Sequence, residues 1–357
     1  MPHSALQTAS TYKSPTDSDF RSRVIYQSES LHAGGGGQQL DIQRVQNINY
    51  GFTVPRTDVN QYGQLGQIER VITEIPTVTL DFTYQLAGLT NENRLLGRGG
   101  LGTLGFMADI NKSSTDYDLM TYTVGLSNDG TDFRTGTSHS NKGIIIEQAG
   151  ITSYSWTGSV GDIPSATVNA EGSKIKIGTV SNSASKENAT TPRVMRPGNV
   201  KIYSAVAGGV LSENTLPVLG FDVIHVQSYT VSVDVPRESI QRLGDRFEFA
   251  RVITFPIQAT LSLEAIVSSQ KANDIDDIVG THSGDPGYDI LISNNADSSG
   301  GVAGIGLRFK DAKVEGHSIS SSIGANKSIT MDFAVQVDSG ETAYGSATQG
   351  FFVTAPA

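Results

Sequence analysis

The chain has 357 residues, enough for two domains of ordinary size or one large β domain. Its formal charge of −10 argues against a protein that grips nucleic acid through phosphate contacts, though not against one that nucleic acid slides past. With no cysteine it can form neither a disulfide nor a thiolate metal site, and its abundant Gly, Ser and Thr favour strands and turns over long helices.

Residues 1–37 read as a mobile N-terminal arm. The opening MPHSALQTASTYKSPTDSDFRSR has no apolar core of a secretory signal, and the segment ends in the glycine run Gly34–Gly37. No stretch approaches the roughly 18 apolar residues of a membrane span, so no membrane partner is expected.

A first module is expected over 38–170. Ile48, Tyr50, Phe52 and Val54 alternate with Asn47, Asn49, Gly51 and Thr53, the period of a strand with one dry and one wet face. A connection of about 20 residues follows, then Val78, Leu80, Phe82, Tyr84 and Leu86 alternate with Thr77, Thr79, Asp81, Thr83 and Gln85. Thr90–Leu96 reads as a short helix closed by Gly97, Phe106–Ile110 as a strand, and Gly143–Glu147, Gly150–Trp156 and Ala166–Ala170 as late strands. Residues 171–217 are rich in Ser, Asn, Thr and Gly and read as a linker.

A second module, 218–345, repeats the first. VPRTDVNQYGQLGQIERVIT, Val54–Thr73, returns as VPRESIQRLGDRFEFARVIT, Val235–Thr254. The ungapped match runs from Asp41–Leu86 to Asp222–Val267 at one constant spacing, and 13 of its 46 pairs are identical. Self-similarity of this kind takes precedence over local readings. Tyr229, Val231, Val233 and Val235 form the dry row of one strand, and Ala259, Leu261, Leu263, Ala265 and Val267 that of the next, with the same parity as the first copy. Pro55 and Pro236 each end a strand, and Gly63 and Gly244 permit turns. A helix over Ser269–Val279 and strands over Ala303–Phe309, Val314–Ser320 and Ser328–Val337 complete the module, before a tail at 346–357.

The runs VQNINYGFTVPRTDVNQYGQLGQIERVITEIPTVTLDFTY and ITSYSWTGSVGDIPSATVNAEG, the latter with its Val160-Gly161-Asp162-Ile163-Pro164 turn, resemble the tail tube proteins of long-tailed bacteriophages. The resemblance covers most of the first module, and reaches the second through its likeness to the first; the second lacks the Val-Gly-x-x-Pro turn. It implies a mainly β fold of two tandem β-sandwich modules, each with one short helix, that assembles into a ring-shaped β-barrel. Single-module relatives form hexameric rings, so two modules per chain imply a trimeric, pseudo-hexameric ring, with a hexamer as the alternative. It further implies stacked rings in a virion tail assembled in the bacterial cytoplasm. The implied partners are further copies of the chain, a tape measure protein, tail terminator and baseplate proteins, and viral DNA in transit without specific binding. No cofactor is expected.

On this reading the wet-face residues Asn47, Asn49, Thr53, Thr79, Asp81, Thr83, Ser228, Thr230, Asp234, Thr260, Ser262 and Glu264 are candidates to line the lumen. Lys and Arg are absent from the wet-face positions of these four strands, and a neutral or acidic wall lets DNA pass without sticking. Arg56, Arg70, Arg237 and Arg251, which recur between the copies, are candidates for inter-subunit contacts.

Enzyme signatures are weak. Gly100-Leu-Gly102-Thr-Leu-Gly105 fits GxGxxG but follows an expected helix rather than a strand. The six histidines are scattered, without HExxH, and there is no GxSxG elbow. Trp156 reads as a core or interface anchor. The rival functions are a tube-fold tail initiator, terminator or baseplate component and, from another class, a β-sandwich adhesin, which the 7% aromatic content disfavours.

Overall fold

The computed structural model of the chain describes residues 26–35, 38–86, 88–96, 106, 119–128, 132–134, 140–181, 195, 197–214, 221–245, 247–270, 287–294, 304–320, 326–337 and 347–354. These residues are mainly β. The first ten strands are β1 (Tyr26–Gly35), β2 (Gln38–Ile42), β3 (Val45–Thr53), β4 (Arg56–Val59), β5 (Glu69–Ile72), β6 (Thr77–Gln85), β7 (Met120–Asn128), β8 (Ser140–Ser159), β9 (Ser165–Gly172) and β10 (Lys174–Ser181). A short helix, α1 (Thr90–Leu95), follows β6. The next ten are β11 (Val200–Val206), β12 (Ser212–Glu213), β13 (Phe221–Asp234), β14 (Arg237–Ile240), β15 (Ala250–Ile253), β16 (Gln258–Gln270), β17 (Tyr288–Asn294), β18 (Ile305–Ser320), β19 (Ser328–Gln336) and β20 (Gly350–Thr354).

Both sets pair in the same order, antiparallel throughout. In the first, β3, β6, β9 and the C-terminal part of β8 form one sheet, and β2, β1, β7, the N-terminal part of β8 and β10 form another. In the second, β13, β16, β19 and the C-terminal part of β18 match the former, and β12, β11, β17, the N-terminal part of β18 and β20 match the latter. Each pair of sheets packs face to face: Phe82 of β6 lies 6.0 Å from Tyr122 of β7, and Tyr288 of β17 lies 6.2 Å from Phe333 of β19. Burying one such ring contributes about 1.5–3 kcal/mol.

The irregularities recur too. The β3–β6 register shifts between Val45 and Asn47, and the β13–β16 register shifts between their repeat partners Val226 and Ser228. The β8–β9 register shifts between Ile151 and Ser153, and the β18–β19 register between Val314 and Gly316. Gln148 in β8 and Asp311 in β18 stand in the same relation as Ile151 and Val314, and have φ of 55° and 54°. This second half of the repeat thus has its own constant spacing, slightly shorter than that of the first. At these residues each long strand leaves one sheet and enters the other, the corner device of packed β-sheets. The sequence suggests two strands at each of these places (Gly143–Glu147 and Gly150–Trp156; Ala303–Phe309 and Val314–Ser320). The fold makes one long strand of each, because a single left-handed residue redirects the chain without ending the ladder.

The long connections between the repeated strands, which show no clear periodicity in sequence, are two hairpins of identical register. β4 pairs with β5 through Arg56↔Ile72, and β14 with β15 through Arg237↔Ile253. Their tips turn at Gly63 and Gly244, with φ of 86° and 94°, as expected from the two glycines.

The expected boundaries shift. Tyr26–Gly35, read as part of the 1–37 arm, is β1; β10 and β11 lie within the 171–217 linker; β20 lies within the 346–357 tail. Each covers the core with a short apolar row: Leu31 and Ala33, Val180, Ile202, and Phe351 with Val353, all at most 3% exposed. Ser269 and Gln270, read as the start of a second helix, end β16, and the remainder of Ser269–Val279 lies outside the described residues. So do the glycines of the Gly100–Gly105 motif; of Phe106–Ile110 only Phe106 is described, with helical backbone and a fully buried ring.

Helix α1 is tied to the β2–β3 turn by Asn91, which accepts from Gln43 N–H at 2.9 Å and donates to Gln43 O at 2.8 Å. Its Glu92 is fully buried, where the Tyr84 hydroxyl donates to Oε1 at 2.6 Å and also meets the Tyr154 hydroxyl. Burial pushes the Glu92 carboxyl from 4.5 up to about 7, against the hydrogen bond from Tyr84. The stability this acid contributes is therefore present below pH 4.5 and lost as pH rises through about 7. Glu92→Gln keeps an acceptor for Tyr84 and cannot ionise. At pH 8 it should be more stable than the parent by about 3 kcal/mol, and at pH 4 nearly equal to it; urea unfolding at both pH values checks this.

Candidate functional site

One seam joins the two sets of strands. Ser228–Asp234 of β13 pairs with Ser153–Ser159 of β8. Eight strands therefore run side by side in the order β3-β6-β9-β8-β13-β16-β19-β18. Among the described residues the row is open at both ends and does not close the expected barrel. Among the described residues β3 is one edge, and Gly316–Ser320 of β18, paired only with β19, is the other.

The seam is dry on one side. Trp156 faces Val231 and Tyr154 faces Val233 across it, and all four are fully buried. Trp156 stacks on Tyr154 at 4.0 Å and meets Phe351 of β20 at 5.7 Å, so the expected anchor role falls to a contact between the two halves of one chain. Of their counterparts at the open edges, Tyr50 is half-buried and Phe52, His317 and Ile319 are exposed. Phe52, the repeat partner of Val233, is 65% exposed although its alternation marks it as dry; Ile319, the repeat partner of Trp156, is 47% exposed. Edge position is the reason: among the described residues β13 has a neighbour on each side and β3 has one.

A cleft of about 490 Å³ lies beside Val45–Ile48 of β3. Its counterpart beside Val226–Tyr229 of β13 has only about 100 Å³ and is lined by Gly158–Val160, where Val160 N–H donates to Gln227 O at 2.9 Å. The seam thus fills on β13 the space left open on β3.

The twelve candidate lumen residues share the polar face of this row. They are bound into ladders: Asn49 donates to Asp81 at 2.7 Å, Ser228 to Glu264 at 3.2 Å, and Thr83 meets Thr167 at 3.1 Å. Strands β8, β9, β18 and β19 complete the face with residues that alternation in the two repeated strands could not assign. Among them Asn169 donates to Ser153 at 2.7 Å and Ser262 donates to Asp332 at 2.7 Å. Across β3, β6, β9, β13, β16, β19, Ser153–Ser159 and Gly316–Ser320 this face carries Asp81, Glu171, Asp234, Glu264 and Asp332 and no Lys or Arg. At the rim, Lys313 is paired with Asp311 at 3.3 Å.

The four candidate arginines divide. Arg237 and Arg251 are engaged within the chain, between its halves: Arg237 Nε donates to Ile151 O at 2.9 Å, and Arg251 Nη1 donates to Glu171 O at 2.7 Å. Arg251 also pairs with Glu248 at 3.0 Å and is 7% exposed. Arg56 and Arg70 are exposed, with Arg70 held by Asp58 at 3.2 Å.

Among the described residues no three of His, Asp and Glu gather as a metal site would require, and no helix is long and apolar enough to cross a membrane. A scan against protein-family models finds none that matches the chain, and a search of curated proteins finds no match.

Proposed function

We propose that the chain is a tandem of two equivalent β-sandwich modules that polymerises into a bacteriophage tail tube, a structural and non-enzymatic role in the virion. The β8–β13 seam carries the reading. It is a worked example, inside one chain, of how the β18 edge of one copy meets the β3 edge of the next. Exposed edge strands are templates for pairing, and ring closure leaves none free. Three chains supply six four-stranded units, a pseudo-sixfold ring, and stacked rings enclose a channel lined by the polar face. DNA passes that neutral-to-acidic wall without specific binding. Tape measure protein inside the growing tube, with terminator and baseplate proteins at its ends, completes the set of partners; no cofactor takes part.

The seam fixes a register for the test. Replacing Val231 and Trp156 by their repeat partners places Tyr50 opposite Ile319, and Asn49 opposite Ser320 on the polar face. Val235 N–H donates to Thr152 O and Val160 N–H to Gln227 O, so odd-numbered residues of β13 hold the hydrogen-bonded positions and Thr230↔Thr157 is a close, non-hydrogen-bonded pair. Asn49↔Ser320 inherits that close geometry, which suits a disulfide. The native chain has no cysteine. Asn49→Cys with Ser320→Cys should oxidise to a covalent trimer, whereas Gly51→Cys with Ser320→Cys, two positions out of register, should cross-link far less. A covalent hexamer supports the alternative ring, and equal cross-linking by both pairs removes the register.

A further inference from the structure

We infer that the β4–β5 hairpin is an arm that docks on a second copy of the chain, at the rim formed by Lys313–Glu315 of β18 and Ala334 of β19. The inference rests on the ring reading and adds a contact to it. Its template is the β14–β15 hairpin, which lies across the corner of β8 and the C-terminal end of β9. At the mid-strand corner of β8, Arg237 reaches Ile151 O and packs over Gly150, where a Cβ would lie 2.6 Å from the guanidinium carbon. Arg251 reaches Glu171 O. Both acceptors are main-chain oxygens, so the contact does not depend on which side chains the receiving strands carry.

The repeat partners of these two oxygens belong to Val314 and Ala334. The arm equivalent to β14–β15 is β4–β5, with Arg56 at the place of Arg237 and Arg70 at the place of Arg251. It continues from β3, at the far end of the eight-strand row from β18, about seven inter-strand spacings of roughly 4.8 Å away. It therefore does not serve its own chain's rim. All eight residues of β4 and β5 are exposed, and among the described residues Arg70 has only the solvated pair with Asp58, a contact of small net stability. When β3 joins the β18 edge of the next copy in the register of the seam, the arm is carried onto Val314 and Ala334 as β14–β15 is carried onto Ile151 and Glu171.

The two docks differ in chemistry. Ala334 stands for Glu171 and Gln67 for Glu248, so Arg70 lacks the carboxylates that hold Arg251. Lys313 stands for Gly150, so its Cβ displaces the Arg56 guanidinium from the place Arg237 takes and Arg56 must reach the Val314 oxygen from beside it, while the Lys313 ammonium is drawn away to Asp311. The internal clasp is thus locked by charge, and the arm between copies is held by main-chain acceptors and stays releasable.

Trypsin reads the difference. Rings locked by Asn49→Cys and Ser320→Cys, shown by light scattering to be single and unstacked, are compared with the monomeric Phe52→Asp/Ile319→Asp chain. Cleavage after Arg70, followed by mass spectrometry, should be on the order of tenfold slower in the ring, while the bond after Arg251 resists in both. Arg56→Ala in the locked ring should restore cleavage after Arg70. Equal cleavage in ring and monomer, or protection that survives Arg56→Ala, overturns the docked arm and leaves the ring standing. Absence of any covalent oligomer overturns the ring reading and the arm with it.

Discussion

A chain carrying Phe52→Asp and Ile319→Asp is expected to stay folded and monomeric under conditions in which the parent assembles. Both side chains are largely exposed, at 65% and 47%, so in the isolated chain the substitutions remove little buried apolar area and should each change stability by less than about 1 kcal/mol. In a joined edge the same positions correspond to Val233 and Trp156, both fully buried. A carboxylate placed there without a partner costs several kcal/mol per seam, and the cost recurs at every seam of the ring. Light scattering and negative-stain microscopy read the assembly, and urea unfolding reads the fold. Rods or rings formed at the parent's concentration would falsify the edge-to-edge assembly. Unfolding at much lower urea would instead place Phe52 and Ile319 in the core of the single chain.

If the chain forms a DNA-conducting tube as proposed, reversing the charge of the polar face is expected to obstruct DNA without disturbing the tube. Asp81→Lys, Asp234→Lys and Glu264→Lys together place about nine new cations on the wall of a trimeric ring, and stacked rings repeat them along the channel. Cations that neutralise phosphates release counterions, so six to ten contacts weaken about 10³–10⁵-fold between 50 and 200 mM salt. Virions with the triple variant should therefore eject DNA slowly at low salt and recover as salt rises, with infectivity reduced by about tenfold or more. Tube length should be unchanged in micrographs. Full infectivity and salt-independent ejection in virions carrying all three lysines would place this face away from the DNA path. The hydrogen bonds from Asn49 to Asp81 and from Ser228 to Glu264 are solvent-exposed, so their loss affects the fold little.

What could be read from the residues alone is tied to period and repetition. The alternation of Val78, Leu80, Phe82 and Tyr84 predicts β6, and the same parity in Ala259, Leu261, Leu263 and Ala265 predicts β16; both strands carry their buried row where the sequence puts it. Pro55, Pro236, Gly63 and Gly244 mark strand ends and turns because each restricts or frees the backbone by itself. The second half of each repeat was less legible. β8 and β9 pair as β18 and β19 do, at a constant spacing, but few identities survive between them, since a core position asks only for an apolar side chain of suitable volume. Val168 and Met331, both fully buried, occupy one such equivalent place.

The amino-acid order by itself determined the two-faced strands, their repetition and the absence of cations from the polar rows, because these depend on periodicity, local backbone preference and composition. Only the tertiary structure decided that β1, β10, β11 and β20 belong to the sheets, that Arg237 and Arg251 clasp the chain's own first half, and that β3 and β18 are left as open edges. Those outcomes depend on which strand lies beside which. Pairing is settled by long-range hydrogen bonds and shared burial, and no local run of residues records it.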